Sequence, residues 1–214
     1  MLPVLFEWDG ANIYAYPLFM GLAWGLGYRL SEARVPSGIP HRHFLFWFLG
    51  VFLSSWVGAK FLFIATQETF NVIDLASASS FWLGGGFVFL GGFSGSLLFI
   101  GLVSVFSSTL TMGRMQFTIV PLLWAHAIGR IGCLLAGCCY GQESDIPWAI
   151  NLHGHARHPV QIYEALALAS FAFWLGRKEG KRHFLSLYLV GYGLIRWALE
   201  WLRGDEIRGL WGGV

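Results

Sequence analysis

Two arginines lie inside apolar runs, where a permanent charge is costly. Arg130 stands within HAIGRIGCLLAGCCYG, and Arg196 stands within YGLIRWALEWLR. An arginine at the centre of a membrane helix costs about 2.5–3.5 kcal/mol on insertion scales, so such residues are usually paired or line a polar cavity. A guanidinium stays charged at any relevant pH and binds phosphate through two parallel hydrogen bonds. The two arginines therefore predict a site for an anionic group, with a phospholipid head group as the candidate ligand.

Two glutamates offer these arginines an alternative role. Arg196 and Glu200 are four residues apart, so they share a helix face and can form an ordinary ion pair. That pairing does not account for Arg130, which has no acidic residue within a helical turn along the chain. Its candidate partners are Glu164 and Glu200 on other segments. An ion pair and an anion site both remain open interpretations at this point.

The three cysteines of the chain all follow Arg130 closely. Cys133, Cys138 and Cys139 have the spacing C-x4-C-C, and His126 precedes Cys133 by seven residues. Zinc sites combine such a pair with further cysteine or histidine ligands elsewhere. Small buried packing residues are the favoured interpretation, so neither a metal nor a soluble cofactor is expected. A disulfide from Cys133 to Cys138 or to Cys139 stays an alternative.

Two histidines and two tyrosines complete the set of candidate functional side chains. His126 and His158 are candidates for proton transfer, because the ordinary pKa of histidine lies near neutrality. Tyr16 and Tyr163 are candidate hydrogen-bond donors, although either also fits a tyrosine at a membrane interface.

The composition points to a membrane protein as the frame for these residues. Of 214 residues, 56% are hydrophobic and 12% are charged, and the mean hydropathy is +0.58. Soluble domains carry about 25% charged residues. The 11 tryptophans and 19 phenylalanines fit the aromatic enrichment of membrane interfaces. The sequence predicts an all-α polytopic membrane protein whose residues 1–214 form a single transmembrane domain.

Apolar segments along the chain predict the helices. A spanning helix needs about 20 mostly apolar residues, and this rule predicts about six spans. The segments are Ile13–Tyr28, Phe44–Ala65, Phe87–Phe106, Phe117–Leu135, Val160–Leu175 and Phe184–Leu202. The glycine-rich block Leu83–Ser96 suits close helix packing or a broken helix.

The loop charges predict the orientation, since lysine and arginine concentrate in cytoplasmic loops. The loops after the first, third and fifth segments are basic, with Arg29, Arg34, Arg42, Arg114, Arg177, Lys178, Lys181 and Arg182. The other two loops are acidic or mixed, with Glu68, Asp74, Glu143, Asp145 and Arg157. This alternation predicts that the N-terminus lies outside and that the polar clusters meet around an outward-facing cavity.

A small transporter or channel is the competing class of protein. Arg130 and Arg196 would then line an anion path, which requires polar residues along the full depth of several spans. The inner halves of the second and sixth segments are nearly all apolar, which counts against such a path.

Three motifs resemble those of the prolipoprotein diacylglyceryl transferase family, bacterial membrane enzymes that lipidate the lipobox cysteine of pre-lipoproteins. The motifs are GRIGCLLAGCCYG, RHPVQIYE and YGLIRWALEWLR, in the family's order, and the resemblance extends from about Pro3 to Arg203. It implies transfer of a diacylglyceryl group from phosphatidylglycerol to a cysteine thiol, with release of glycerol phosphate. The implied partners are phosphatidylglycerol, membrane lipid and the pre-lipoprotein signal peptide, at the outer face of the bacterial cytoplasmic (inner) membrane. Nothing in the sequence points to nucleic acid.

The resemblance also implies roles for individual residues. Arg130 and Arg196 would hold the lipid phosphate and stabilise charge on the leaving group, while Glu200 would orient an arginine. Tyr16 and Gly141 would belong to the site. The remaining residues that the resemblance places in or around the substrate site are Cys133, Cys138, Arg157, Gln161, Tyr163, Glu164 and Arg203.

This chain departs from the family pattern at several positions and is therefore expected to be a short, divergent member. Leu90 stands where the family has a histidine that is favoured as the proton acceptor, and a leucine cannot take a proton. Cys133 and Cys138 stand where many members have asparagine and glutamate. Three alternatives follow: a divergent transferase whose proton goes to His126, His158 or water; a related transferase with another acceptor; or a non-catalytic member that binds phospholipid.

Overall fold

The computed structural model describes residues 4–8, 11–66, 88–178 and 184–204. These residues are mostly helical, as predicted. In chain order, the elements are β1 (Val4–Trp8), β2 (Ala11–Tyr14), α1 (Ala15–Glu32), α2 (His41–Ala65), α3 (Phe89–Phe106), a 3-10 turn (Gln116–Thr118), α4 (Ile119–Ala136), β3 (Ile150–Leu152), β4 (His155–Arg157), α5 (Val160–Gly176) and α6 (Phe184–Glu200).

Three helices are long and apolar enough to cross a membrane: α2, α3 and the segment Gln116–Ala136, which contains α4. Helix α5 is apolar but shorter. Large apolar side chains on these helices are exposed; Phe106 of α3, for example, is 86% exposed. A helix that is hydrophobic all round is typical of a membrane span. The described chain is therefore a helical membrane protein.

The helices coincide with the predicted apolar segments to within a few residues, but the described chain is not wholly helical. Two antiparallel hairpins, β1–β2 and β3–β4, were not expected. Their strands are three to five residues long, too short for an alternating pattern to stand out. The loop residues Glu68, Asp74, Lys181 and Arg182 lie outside the described residues, as does the first part of the glycine-rich block, residues 83–87.

The chain divides into two compact units, residues 28–118 and residues 1–27 with 119–214. In the first of these, α2 packs against α3 through glycines. A Cβ atom at Gly91 would lie 2.3 Å from the carbonyl oxygen of Gly58, and one at Gly95 would lie 2.4 Å from that of Ser54. Small residues let membrane helices approach closely. The part of the glycine-rich block that lies in α3 therefore serves close packing, one of its two predicted roles.

The other unit, which we call the site unit, contains the first part of α1 together with α4, α5 and α6. Helix α4 packs against α5, and α5 packs against α6. Gly132 of α4 is buried against α1, where a Cβ atom would lie 2.7 Å from the Cβ of Phe19. This packing brings the end of α4, the start of α5 and the end of α6 together.

Replacing Gly91 with alanine should destabilise the protein by about 1–3 kcal/mol, because the added methyl group must push α2 and α3 apart. Gly101→Ala in the same helix is the matched control, since nothing lies within 4 Å of the position its Cβ would take. The measurement is thermal unfolding of both purified variants in detergent. Equal melting temperatures for the two variants would contradict the close contact.

Candidate functional site

The loop between α4 and α5 closes one end of the site unit. The backbone N–H of Gln142 donates to the carbonyl of Leu202 at 2.9 Å, and that of Gly204 donates to Tyr140 at 3.1 Å. On its other edge, the N–H of His158 donates to the carbonyl of Gln142 at 3.0 Å. The loop thus ties the chain after α6 to the chain before α5.

Gly141 stands at the centre of this connection, paired with Arg203. A Cβ atom at Gly141 would lie 2.5 Å from the carbonyl oxygen of His158 and 2.7 Å from a methyl carbon of Val160. Any larger residue would therefore push the loop away from His158 and Val160. The structure places Gly141 where it holds the loop, with Arg203 buried beside it (6% exposed).

Arg130 and Arg196 both contact one buried glutamate. Nη2 of Arg130 lies 2.9 Å from Oε1 of Glu164, and Nη1 of Arg196 lies 3.4 Å from Oε2 of the same carboxylate. Glu164 is 1% exposed, and the two arginine side chains are 12% and 19% exposed. Of the two candidate partners of Arg130, the structure selects Glu164.

The second glutamate completes a chain of four charges. Nη2 of Arg196 lies 2.5 Å from Oε2 of Glu200, whose side chain is 53% exposed. The i,i+4 pair expected from the sequence therefore forms, but Arg196 also contacts Glu164. Nε of Arg130 is buried and has no hydrogen-bond partner among the described residues. A guanidinium with an unused donor can still accept an anionic ligand.

Tyr192 joins this group and was missed by sequence reasoning. Its hydroxyl donates to Oε1 of Glu164 at 3.5 Å, and its ring centroid lies 5.0 Å from that of His126. Its position four residues before Arg196, on the same helix face, was the feature of the sequence that could have identified it. His126 likewise precedes Arg130 by four residues, so the structure brings His126 to the arginines.

The three cysteines converge immediately after Arg130. Their sulfur atoms all lie within 4.8 Å of one another, and all three are free thiols. Cys133 is buried, whereas Cys138 is exposed, so the predicted packing role does not describe the whole cluster. Cys139, which the sequence did not place in the site, supplies the third sulfur.

The backbone around the cluster holds the cysteines in place. The N–H of Cys138 donates to the carbonyl of Cys133 at 3.2 Å, and Nε2 of Gln161 donates to the carbonyl of Cys138 at 2.7 Å. Cys139 has a φ of 61°, which is uncommon for a residue other than glycine. Hydrogen bonds with Cys133 and Cys138, together with the charges of Arg130 and Arg203, lower the pKa of the Cys139 thiol against the effect of its burial.

Tyr16 lies beside the same part of α4. A Cβ atom at Gly132 would be 3.9 Å from its ring, and Tyr16 interacts electrostatically with Arg130 and with all three cysteines. The structure therefore brings this predicted site residue to Arg130 and the thiols.

The remaining predicted residues lie along the loop. Arg157 contacts Glu143 at 3.1 Å, and its guanidinium carbon lies 4.6 Å from the centre of the Tyr140 ring. Nδ1 of His158 lies 3.5 Å from the hydroxyl of Tyr163, which accepts a 2.7 Å hydrogen bond from Trp148. Within the described part of the chain, neither His158 nor Tyr163 bonds to Arg130 or Arg196.

Leu90, the position at which the resemblance implies a histidine, belongs to the unit of residues 28–118. It lies in the first turn of α3. Its side chain is 63% exposed.

Glu164→Gln should destabilise the protein by about 3–5 kcal/mol, because it leaves buried guanidinium charges without their shared carboxylate. Glu200→Gln is the matched control and should cost about 0–1 kcal/mol, since that carboxylate is half exposed. Denaturant titration of both variants in detergent micelles measures the difference. If Glu164→Gln lowers the free energy of unfolding no more than Glu200→Gln does, then Glu164 does not stabilise Arg130 and Arg196.

Comparison with known proteins gives the family of the chain. Residues 3–213 match the model of the family described as prolipoprotein diacylglyceryl transferase. The phosphatidylglycerol–prolipoprotein diacylglyceryl transferase of Clostridium tetani is 31% identical over 96% of this chain and 86% of its own length. A second enzyme of that name, from Clostridium perfringens, is 31% identical over 94% of this chain and 83% of its own. The chain belongs to the prolipoprotein diacylglyceryl transferase family.

Proposed function

We propose that this protein transfers the diacylglyceryl group of phosphatidylglycerol to the lipobox cysteine of a pre-lipoprotein. The relatives from Clostridium tetani and Clostridium perfringens are named for this donor and acceptor. The observation that carries the proposal is the pair Arg130 and Arg196, held by one buried carboxylate. Two guanidiniums at one site provide positive charge and paired hydrogen-bond donors for the phosphate of the donor lipid.

The reaction needs a nucleophile, an electrophilic carbon and a stabilised leaving group. The sulfur of the acceptor cysteine attacks the glyceryl carbon that carries the phosphate, and a carbon–sulfur bond forms. The carbon–oxygen bond to the phosphate breaks, and its electron pair leaves with glycerol phosphate. Arg130 and Arg196 stabilise the charge that develops on the phosphate oxygens. Glu164 and Glu200 act as positioning residues, because they fix the directions of the guanidiniums.

The acceptor thiol must also lose its proton. His126, His158 and water are the candidate acceptors, and the position of His126 beside Tyr192, one turn before Arg130, favours His126 among the histidines. Tyr16 supplies a hydroxyl near Arg130. Residues of the loop and the start of α5, among them Arg157, Gln161, Tyr163 and Arg203, frame the entrance for lipid and peptide.

We further propose that residues 1–214 act as a single transmembrane domain with six spans in the bacterial cytoplasmic membrane. The N-terminus and the cavity would face outward. The alternation of basic and acidic loops in the sequence supports this orientation.

Arg130→Lys and Arg196→Lys should each lower the rate of lipidation at least about 100-fold, because lysine keeps the charge but loses the two-pronged hydrogen bonding. The assay follows labelled phosphatidylglycerol and a lipobox peptide, and it measures both glycerol phosphate and lipidated peptide. Arg177→Lys, an exposed arginine at the far end of α5, is the control and should retain full activity. Wild-type rates in both site variants would contradict the phosphate role.

The same assay separates the alternatives. Wild-type protein that binds phosphatidylglycerol without releasing glycerol phosphate would be a non-catalytic member of the family. Glycerol phosphate release without lipidation of the peptide would indicate a transferase with another acceptor.

The proposed orientation predicts the activity of inserted reporters. Alkaline phosphatase needs disulfides, which form only outside the cytoplasm, so it should be active when inserted after Gly154 and inactive when inserted after Gly113. A cytoplasmic reporter at the same two positions is the control and should give the opposite pattern. Active alkaline phosphatase at Gly113 alone would reverse the orientation.

A further inference from the structure

We propose that Cys133, Cys138 and Cys139 bind a zinc ion whose fourth position takes the acceptor thiol. The inference deepens the proposed function and depends on it for the identity of that thiol. It gives the cysteine cluster a role in the transfer itself, and it accounts for the deprotonation step without a histidine at position 90.

The geometry of the cluster suits a zinc ion. Zinc–sulfur bonds of about 2.3 Å in a tetrahedron put the sulfur atoms roughly 3.8 Å apart. The three sulfur atoms here lie within 4.8 Å of one another. Two of the cysteines, Cys138 and Cys139, lie beyond the end of α4, where side-chain rotation closes such a difference without moving a helix.

The number of ligands indicates an open site. In the described ranges, no histidine, aspartate or glutamate joins the three cysteines as a further ligand. Structural zinc sites have four protein ligands, whereas catalytic sites have three and keep one position open. Cys138 and Cys139 are only partly buried, so a ligand from outside the chain can reach the cluster.

The backbone that positions the thiols includes a residue in an unfavourable conformation. Cys139 has a positive φ of 61°, and a residue held in that region costs about 1–3 kcal/mol. Gln161 is 1% exposed and holds the carbonyl of Cys138. Residues that merely fill space would not require this conformation.

The charges nearby complement an anionic metal centre. Zinc with three thiolates carries a net charge of −1, and a fourth thiolate makes it −2. Arg130 and Arg203 both interact electrostatically with Cys139. Because Arg130 and Cys133 are three residues apart on α4, the thiolate cluster and the phosphate-binding arginine face the same space.

Zinc would supply the deprotonation of the acceptor thiol, a step that the leucine at position 90 cannot perform. A thiol that coordinates a metal is deprotonated outright, and the thiolate is the reactive nucleophile. The proton leaves to water as the acceptor sulfur binds. That sulfur then forms its bond to the glyceryl carbon, while the electron pair of the broken carbon–oxygen bond leaves on the phosphate.

Cobalt(II) is the probe for this site, because its absorption spectrum reports thiolate ligands and coordination geometry. Full-length protein in detergent, stripped of metal under reducing conditions, should bind one equivalent of cobalt with a thiolate-to-cobalt charge-transfer band. Cys133→Ser, Cys138→Ser and Cys139→Ser should each weaken that band, and the triple variant should lose it. Asp145→Asn, an exposed carboxylate in the following loop, is the control and should bind cobalt as the wild type does.

Addition of the acceptor tests the open position. A lipobox peptide with its cysteine should intensify the charge-transfer band, whereas the same peptide with serine should leave the spectrum unchanged. Absence of bound cobalt, or a spectrum that the cysteine peptide does not alter, would overturn the inference. Removal of zinc from wild-type protein by a chelator, with restoration by zinc, gives the same test without a variant that could fail to fold.

The outcomes also separate this inference from the proposed function. Metal-free protein that lipidates the peptide at the full rate would overturn the zinc site and leave the transferase intact. A cobalt spectrum that responds to the cysteine peptide, in a protein that forms no lipidated product, would support the thiol site and overturn the transfer.

Discussion

The carboxylate of Glu164 is the group on which the site depends. It is almost completely buried, and it contacts one arginine from α4 and another from α6. A buried charge is tolerated only when its partners are in place, and the loss of one partner leaves the others costly. The three helices must therefore pack correctly before any of these charges becomes acceptable inside the protein. The ion pairs thus couple the fold of the site unit to the geometry of its guanidiniums.

The loop between α4 and α5 adds a second constraint, which is steric. Gly141 has no space for a side chain because the backbone of His158 and the side chain of Val160 stand against it. The backbone pairing that results connects the end of α6 to the start of α5. The same loop carries Cys138 and Cys139, so the contacts that close the end of the unit also determine where the thiols lie.

These two constraints place opposite chemical functions side by side. Arg130 and Arg196 bring two positive charges to one carboxylate. The sulfur atoms of three cysteines meet close by, and Cys133 lies one helical turn beyond Arg130 on α4. A transfer from a phospholipid to a cysteine needs a stabilised leaving group and an activated sulfur in one space. Membership of the prolipoprotein diacylglyceryl transferase family agrees with a reaction of this kind. In the zinc site that we propose, the cysteine cluster would supply the activated sulfur.

The sequence by itself determined the helical class and the approximate limits of the helices, and it offered the pairing of Arg196 with Glu200 as one of two interpretations. These features depend on local spacing and on runs of apolar residues, which are visible in a single chain. Only the tertiary structure decided that Glu164 is the shared partner of both arginines, that Tyr192 joins them and that three sulfur atoms meet. Such contacts link residues up to 66 positions apart, from His126 to Tyr192, and they arise from helix packing and from a strained loop. Neither the packing nor the positive φ of Cys139 leaves a periodic signal in the sequence.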